Sequence, residues 1–169
     1  MGNEPPVLPL PGAASGRPLL VSDFDGTITR HDFYQLILDR LPPGSPDYWG
    51  EYRAGRMTSF EVLRAIFGAA RWGEAELLGL IDAAEPDSNL AESVRKLRAA
   101  GWDLVIVSNG CDWYIRRLLA REGLSVEVLA NPGRFEPGNG LVMTAPEGSR
   151  FFAPAVGIRK GLVVREALD

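Results

Sequence analysis

Two short apolar runs, "PLLVSDFD" (18–25) and "WDLVIVSNG" (102–110), each break off into polar residues, and a long stretch of helical texture separates them. Runs this short, rich in Leu, Val and Ile and bounded by turn residues, read as strands buried on both faces, which is what a parallel sheet requires. The segments that follow keep the alternation. A helix over about 89–100 carries Leu90, Val94 and Leu97 on one face and stops at Gly101; "DWYIRRLLARE" forms a helix that stops at Gly123; "SVEVLAN" supplies a third short strand. Strand, helix, strand, helix in this order predicts an α/β fold around a Rossmann-like parallel sheet. In such sheets ligands sit at the carboxyl ends of the strands, where both runs turn polar.

Between the first two strands the pattern is helical. Phe33, Leu36, Ile37 and Leu41 follow helical spacing up to the breaker "PPGSP". Thr58 and Glu61 form a capping-box pattern ahead of Phe60, Leu63 and Phe67, and "EAELLGLIDAAE" adds another segment. The expected organisation is a flexible tail over 1–17, a core from 18–29 and 88–169, and a small helical cap over 30–87. Further on, "FEPGNGLV" carries the Asn139-Gly140 signal of a hairpin, and "GIRKGLVVREALD" reads as a helix weakened by Gly161.

Composition removes several classes of function. The 169 residues carry a formal charge of −4, with acidic and basic side chains interspersed, so no electrostatic footprint for nucleic acid is present. Trp49, Trp72, Trp102 and Trp113 accordingly read as packing residues and not as a base-stacking platform. Cys111 and His31 are each the only one of their kind, which leaves no intramolecular disulfide and no Cys- or His-rich metal cluster. No run is long and apolar enough for a membrane span, and the opening residues lack the basic and apolar blocks of a signal peptide. The expectation is a cytoplasmic protein.

The polar residues at the strand ends carry the chemistry. Asp23 and Asp25 end the first strand, and Ser108 ends the second, so all three converge. Two carboxylates so placed repel each other, and a hard divalent cation such as Mg²⁺ relieves the repulsion. Magnesium beside a carboxylate suits phosphoryl transfer, with the carboxylate as attacking group and an aspartyl-phosphate as intermediate. Backbone N–H groups at Gly26-Thr27 and Asn109-Gly110, and a lysine at a helix end, Lys160, are the candidates to balance charge on the phosphoryl oxygens. A calcium loop does not fit, because Ile28 and Tyr34 stand where its glycine and closing glutamate belong. A plain polar turn remains as the competing reading of Asp-Phe-Asp-Gly.

"DFDGTIT", then "VIVSNG", then the lone lysine of "IRKG", resemble the first three motifs of the haloacid dehalogenase-like phosphatases over residues 18–169. The helical insert resembles the cap of their phosphoserine phosphatase-like branch. "SNGCDWYIRRLL" and "YRAGRMTSFEVLRAIF" look especially like the methionine-salvage phosphatases. The resemblance implies Asp23 as nucleophile and metal ligand. It implies Asp25 as the acid that protonates the leaving oxygen and then activates water, its backbone carbonyl on Mg²⁺. Thr27 would support the turn, Ser108 and Lys160 would hold the phosphoryl group, and Asp32 and Arg64 match positions that contact substrate. The substrate class implied is a small phosphorylated metabolite; phosphoserine, a methylthio-pentenyl phosphate and phosphorylated amino alcohols all stay open. The family's fourth motif, an acidic pair on a strand after the lysine helix, has no counterpart up to Asp169, and Glu166 and Asp169 are expected to point away from the site. A truncated phosphatase, a phospho-ligand-binding protein without catalysis and a strand supplied by a partner chain are the alternatives this leaves.

Overall fold

The computed structural model describes residue 10 and residues 16–168. Its centre is a three-stranded parallel sheet in the order β1-β2-β3, formed by β1 (Leu19–Ser22), β2 (Asp103–Cys111) and β3 (Glu127–Asn131). Val21 pairs with Val105 and Val105 with Glu127, which places the carboxyl ends of all three strands on one side. The fold class expected from the alternating runs is the one observed.

Period-two alternation along β2 builds two cores at once, since successive side chains point to opposite faces. Leu104 and Ile106 belong to a cluster with Phe24, Phe33, Phe67, Ile115 and Leu118, whereas Val105 and Val107 join Leu10, Phe151, Ile158 and Val163 on the other face. Each such side chain contributes about 1.5–3 kcal/mol when fully buried. The second cluster includes Leu10, so one residue of the expected flexible tail is buried; residues 1–9 and 11–15 of that tail lie outside the described residues.

Four helices leave and return between β1 and the helix that precedes β2: α1 (Phe33–Leu38), α2 (Tyr48–Arg53), α3 (Ser59–Ala69) and α4 (Glu74–Ala83), followed by α5 (Leu90–Ala99). The two connections run side by side. Thr29 bridges Pro86, the Arg30 N–H donates to the Ala84 carbonyl at 3.0 Å, and the Asp87 N–H donates to the Ile28 carbonyl at 3.0 Å. The capping box of α3 forms as its sequence predicts, with the Thr58 N–H on Glu61 Oε2 at 2.7 Å and the Glu61 N–H on Thr58 Oγ1 at 3.2 Å. Helix α2 was not anticipated beyond the proline breaker; Asp47 starts it by accepting the Gly50 N–H at 2.8 Å.

After β2 come α6 (Asp112–Arg121), β3, the hairpin β4 (Gly133–Glu136) and β5 (Gly140–Met143), the short pair β6 (Phe152–Ala153) and β7 (Gly157–Ile158), and α7 (Lys160–Leu168). The hairpin forms where Asn139-Gly140 signals it, but Glu136 pairs with Gly140, so the loop is 137–139. The last helix differs from its sequence reading. It begins at Lys160, because Gly157 takes a φ of 75° and Ile158 is drawn into a strand pair with Phe152. This shift puts Lys160 on the first turn of α7, at the carboxyl side of the sheet.

Candidate active site

A cavity of about 180 Å³ opens at the carboxyl ends of β1 and β2. Asp23, Asp25, Ser108, Asn109, Gly110, Tyr114 and Lys160 form its floor, and Asp32, Tyr34, Trp49, Leu63 and Phe67 form the wall contributed by the inserted helices and the turn before them. The strand-end logic of the sequence therefore brings Asp23, Asp25, Ser108 and Lys160 into one place across 137 residues of chain.

The two aspartates occupy different environments. Asp23 Oδ2 pairs with Lys160 Nζ at 2.6 Å, and Asp23 Oδ1 accepts the Phe24 N–H at 2.7 Å. Among the described residues Asp25 forms no ion pair. Its Oδ1 accepts the Phe33 N–H at 3.0 Å, so that Asp25, and not the nominal cap residue Asp32, satisfies the start of α1. Its Oδ2 accepts the Tyr114 hydroxyl at 2.6 Å, with Ser108 Oγ more distant at 3.4 Å. Burial pushes the Asp25 carboxyl up to about 6, the hydrogen bonds from Tyr114 and Phe33 oppose it, and Asp32 and Asp23 add smaller upward pushes. Tyr114 is itself held well above the ordinary tyrosine range, by burial first and then by the Asp25 charge.

Two residues organise this floor indirectly. Ser108 Oγ, buried, accepts the Gly110 N–H at 2.9 Å. Asn109 Nδ2 donates to the carbonyls of Val156 (2.9 Å) and Ile158 (2.6 Å), and the Asn109 carbonyl accepts Asn131 Nδ2 at 2.7 Å. Asn109 thus ties β2 to the segment that delivers Lys160.

Other expected residues lie elsewhere. Gly26, with a φ of 71°, and Thr27 form the exposed turn after Asp25 but do not line the cavity. Asp32 lines it. Arg64 does not: Leu63 and Phe67 share the helical face that meets the cavity, and Arg64 is exposed, its guanidinium 5.6 Å from the Phe60 ring. Glu166 is held by Arg150 away from the cavity, and Asp169 lies outside the described residues. Of the tryptophans, Trp113 is buried and Trp72 and Trp49 pack on the core, Trp49 also facing the cavity, whereas Trp102 is 40% exposed, so the packing reading fails for Trp102. Cys111 is fully buried and its thiol is pushed up to about 12, chiefly by burial, which keeps it neutral.

Sequence reasoning missed Tyr114, the residue closest to Asp25 Oδ2. The available signal was a polar-tipped aromatic one turn into the helix that follows the Ser108 strand end. In the metal-free protein Asp25 is expected to titrate near pH 6, and Tyr114→Phe to move that titration higher, since it removes a donor that favours the charged carboxylate. Carboxyl ¹³C shifts followed against pH check this; an unchanged or lowered value would refute it. The sign for stability follows: the folded state holds the Asp25 proton more tightly than the unfolded chain, so this group's contribution falls as pH rises from the ordinary 3.8 through about 6.

Residues 20–167 match the family model of the haloacid dehalogenase-like hydrolases, and the chain belongs to that family. Among solved structures it is similar to a family hydrolase from Salmonella enterica serovar Typhi (20% identity, TM-score 0.63, covering 78% of this chain and 47% of that one). It is also similar to a phosphoserine phosphatase solved as a phospho-aspartyl intermediate analogue (18%, TM-score 0.57, 75% and 63%). A phosphoserine phosphohydrolase-like protein from Francisella tularensis covers more (16%, TM-score 0.60, 90% and 72%). These likenesses are of fold. The chain spans about half to two thirds of the length of the first two structures. No curated protein matches it.

Proposed function

We propose that the protein is a phosphatase that hydrolyses a small phosphomonoester through an aspartyl-phosphate. The observation that carries this reading is the division between two carboxylates one residue apart: Asp23 is ion-paired with Lys160, and Asp25 is buried enough to hold a proton up to about pH 6. A carboxylate held by a cation beside a second one that keeps its proton is what a nucleophile and a general acid need.

In the proposed reaction an Asp23 carboxylate oxygen attacks phosphorus while the bond from phosphorus to the ester oxygen breaks. The proton on Asp25 passes to the departing alcohol. A water molecule, giving its proton to the Asp25 carboxylate, then attacks phosphorus, which releases phosphate and restores Asp23. In this reading Lys160 Nζ and Ser108 Oγ would hold the phosphoryl oxygens.

Among the described residues no cluster of three Asp, Glu, His or Cys side chains forms a metal site. The donors present, the Asp23 carboxylate and the Asp25 main-chain carbonyl, fit a cation that keeps most of its water and takes its other ligands from a phosphate, as Mg²⁺ does. When bound there, Mg²⁺ would supply positive charge against the phosphoryl oxygens. The sparse donor set also favours a second reading, phospho-ligand binding without turnover. The reading places the protein in the cytoplasm; no helix among the described residues is long and apolar enough to cross a membrane.

The test is phosphate release from a panel of small phosphomonoesters with Mg²⁺ and with EDTA. Release that requires Mg²⁺ is expected. Undiminished release in EDTA would overturn the metal assignment, and phosphate binding with no release from any ester would favour the second reading.

A further inference from the structure

The cavity has chemically opposed sides. Below are the carboxylates, Ser108 and Lys160; above are Tyr34 from α1, Trp49 from α2, and Leu63 and Phe67 from α3. Three separate helices send apolar groups to one place, so the wall is not the by-product of a single amphipathic face. Leu63 and Phe67 also belong to the core, but Tyr34 and Trp49 are only half-buried, leaving aromatic surface uncovered beside a polar floor. Their rings meet edge-on at 5.5 Å and 63°, and Trp49 meets Tyr52 at 5.7 Å and 88°, which fixes their orientation.

Charge on this wall has one sign. Among the described residues Lys160 is the single cation lining the cavity, and it is engaged with Asp23; Arg64 lies outside. Asp32, in contrast, lines the wall and makes no ion pair among the described residues. A substrate carboxylate placed here would lose its water, meet no cation and face Asp32. An ammonium group would gain one partly exposed carboxylate, a small return, whereas a carbon skeleton would cover Trp49, Leu63, Phe67 and the ring of Tyr34, whose hydroxyl is bound to Asp32.

Building on the phosphatase reading, we propose that the site accepts monoesters of small apolar alcohols, whose carbon skeleton packs on Tyr34 and Trp49, and rejects carboxylate-bearing esters such as phosphoserine. At about 180 Å³ the cavity is smaller than the roughly 300–1,000 Å³ of drug-sized sites, which suits an alcohol of a few carbons or one ring.

Titration calorimetry with phosphonates, which cannot be hydrolysed, tests this independently of turnover. In Mg²⁺, benzylphosphonate is expected to bind about tenfold tighter than methylphosphonate, aminoethylphosphonate or the phosphonate isostere of phosphoserine. Trp49→Ala should close most of the gap between benzyl- and methylphosphonate, and Tyr34→Arg, which adds a cation at the wall, should raise affinity for the phosphoserine isostere. Equal or tighter binding of that isostere or of aminoethylphosphonate, or failure of benzylphosphonate to bind, overturns the inference. Absence of phosphate release in the separate ester assay overturns the phosphatase reading alone.

Discussion

Asp23→Asn is expected to lower phosphate release by on the order of 10⁴- to 10⁶-fold, the scale on which loss of a nucleophile is felt. Asparagine matches the size of aspartate and keeps an oxygen for the Phe24 N–H, so the turn after β1 is undisturbed. The ion pair with Lys160 is lost, but its side chains are 36% and 41% exposed, and a pair so placed contributes at most about 1 kcal/mol. The variant should therefore melt close to the parent while being inactive. Asp25→Asn is expected to cost less, about 10²- to 10⁴-fold, because an intact nucleophile can still react without its acid. The order of the two effects is diagnostic: if Asp23→Asn retains turnover comparable to Asp25→Asn, attack by Asp23 is not the chemistry.

What could be read from the chain beforehand was whatever depends on strand ends. Asp23, Asp25 and Ser108 each follow an apolar run, and parallel strands in one sheet must place such residues together; Lys160 was found by its order after them. The residues that tune these groups could not be read the same way. Tyr114 acts on Asp25 across 89 positions, and the packing of its ring on Phe33, 4.2 Å away and nearly parallel, and against Phe24 and Phe67 brings its hydroxyl there. Asn109 looked like a backbone donor; its side chain turned out to be a brace, because the β6–β7 pair that it holds carries no periodicity long enough to detect. Arg64 shows the opposite error. Its helix forms as expected, but the place at the substrate came from the family resemblance alone, and helical phase puts Leu63 and Phe67 at the cavity.

Gly110→Ala is expected to destabilise the protein by about 3 kcal/mol and to disrupt the site together with the fold. No left-handed backbone is involved; the cause is space. A Cβ on Gly110 would lie 1.9 Å from the Tyr114 hydroxyl oxygen, 3.0 Å from Cζ and 3.1 Å from Ser108 Oγ. Tyr114 is buried, stacked on Phe33 and in contact with Phe24 and Phe67, so its ring has nowhere to retreat. Overpacking of this kind costs about 1–3 kcal/mol. Displacing the hydroxyl also breaks its bond to Asp25, worth about 1.5–3 kcal/mol where the acceptor is charged. The two costs share one oxygen atom, and that makes the mechanism testable by a double-mutant cycle. Tyr114→Phe removes the oxygen, so Gly110→Ala should cost markedly less in that background than alone, by about 1 kcal/mol or more of coupling. Urea denaturation of the four proteins measures it. Equal costs in both backgrounds would mean that crowding at the Tyr114 hydroxyl is not why position 110 must be glycine.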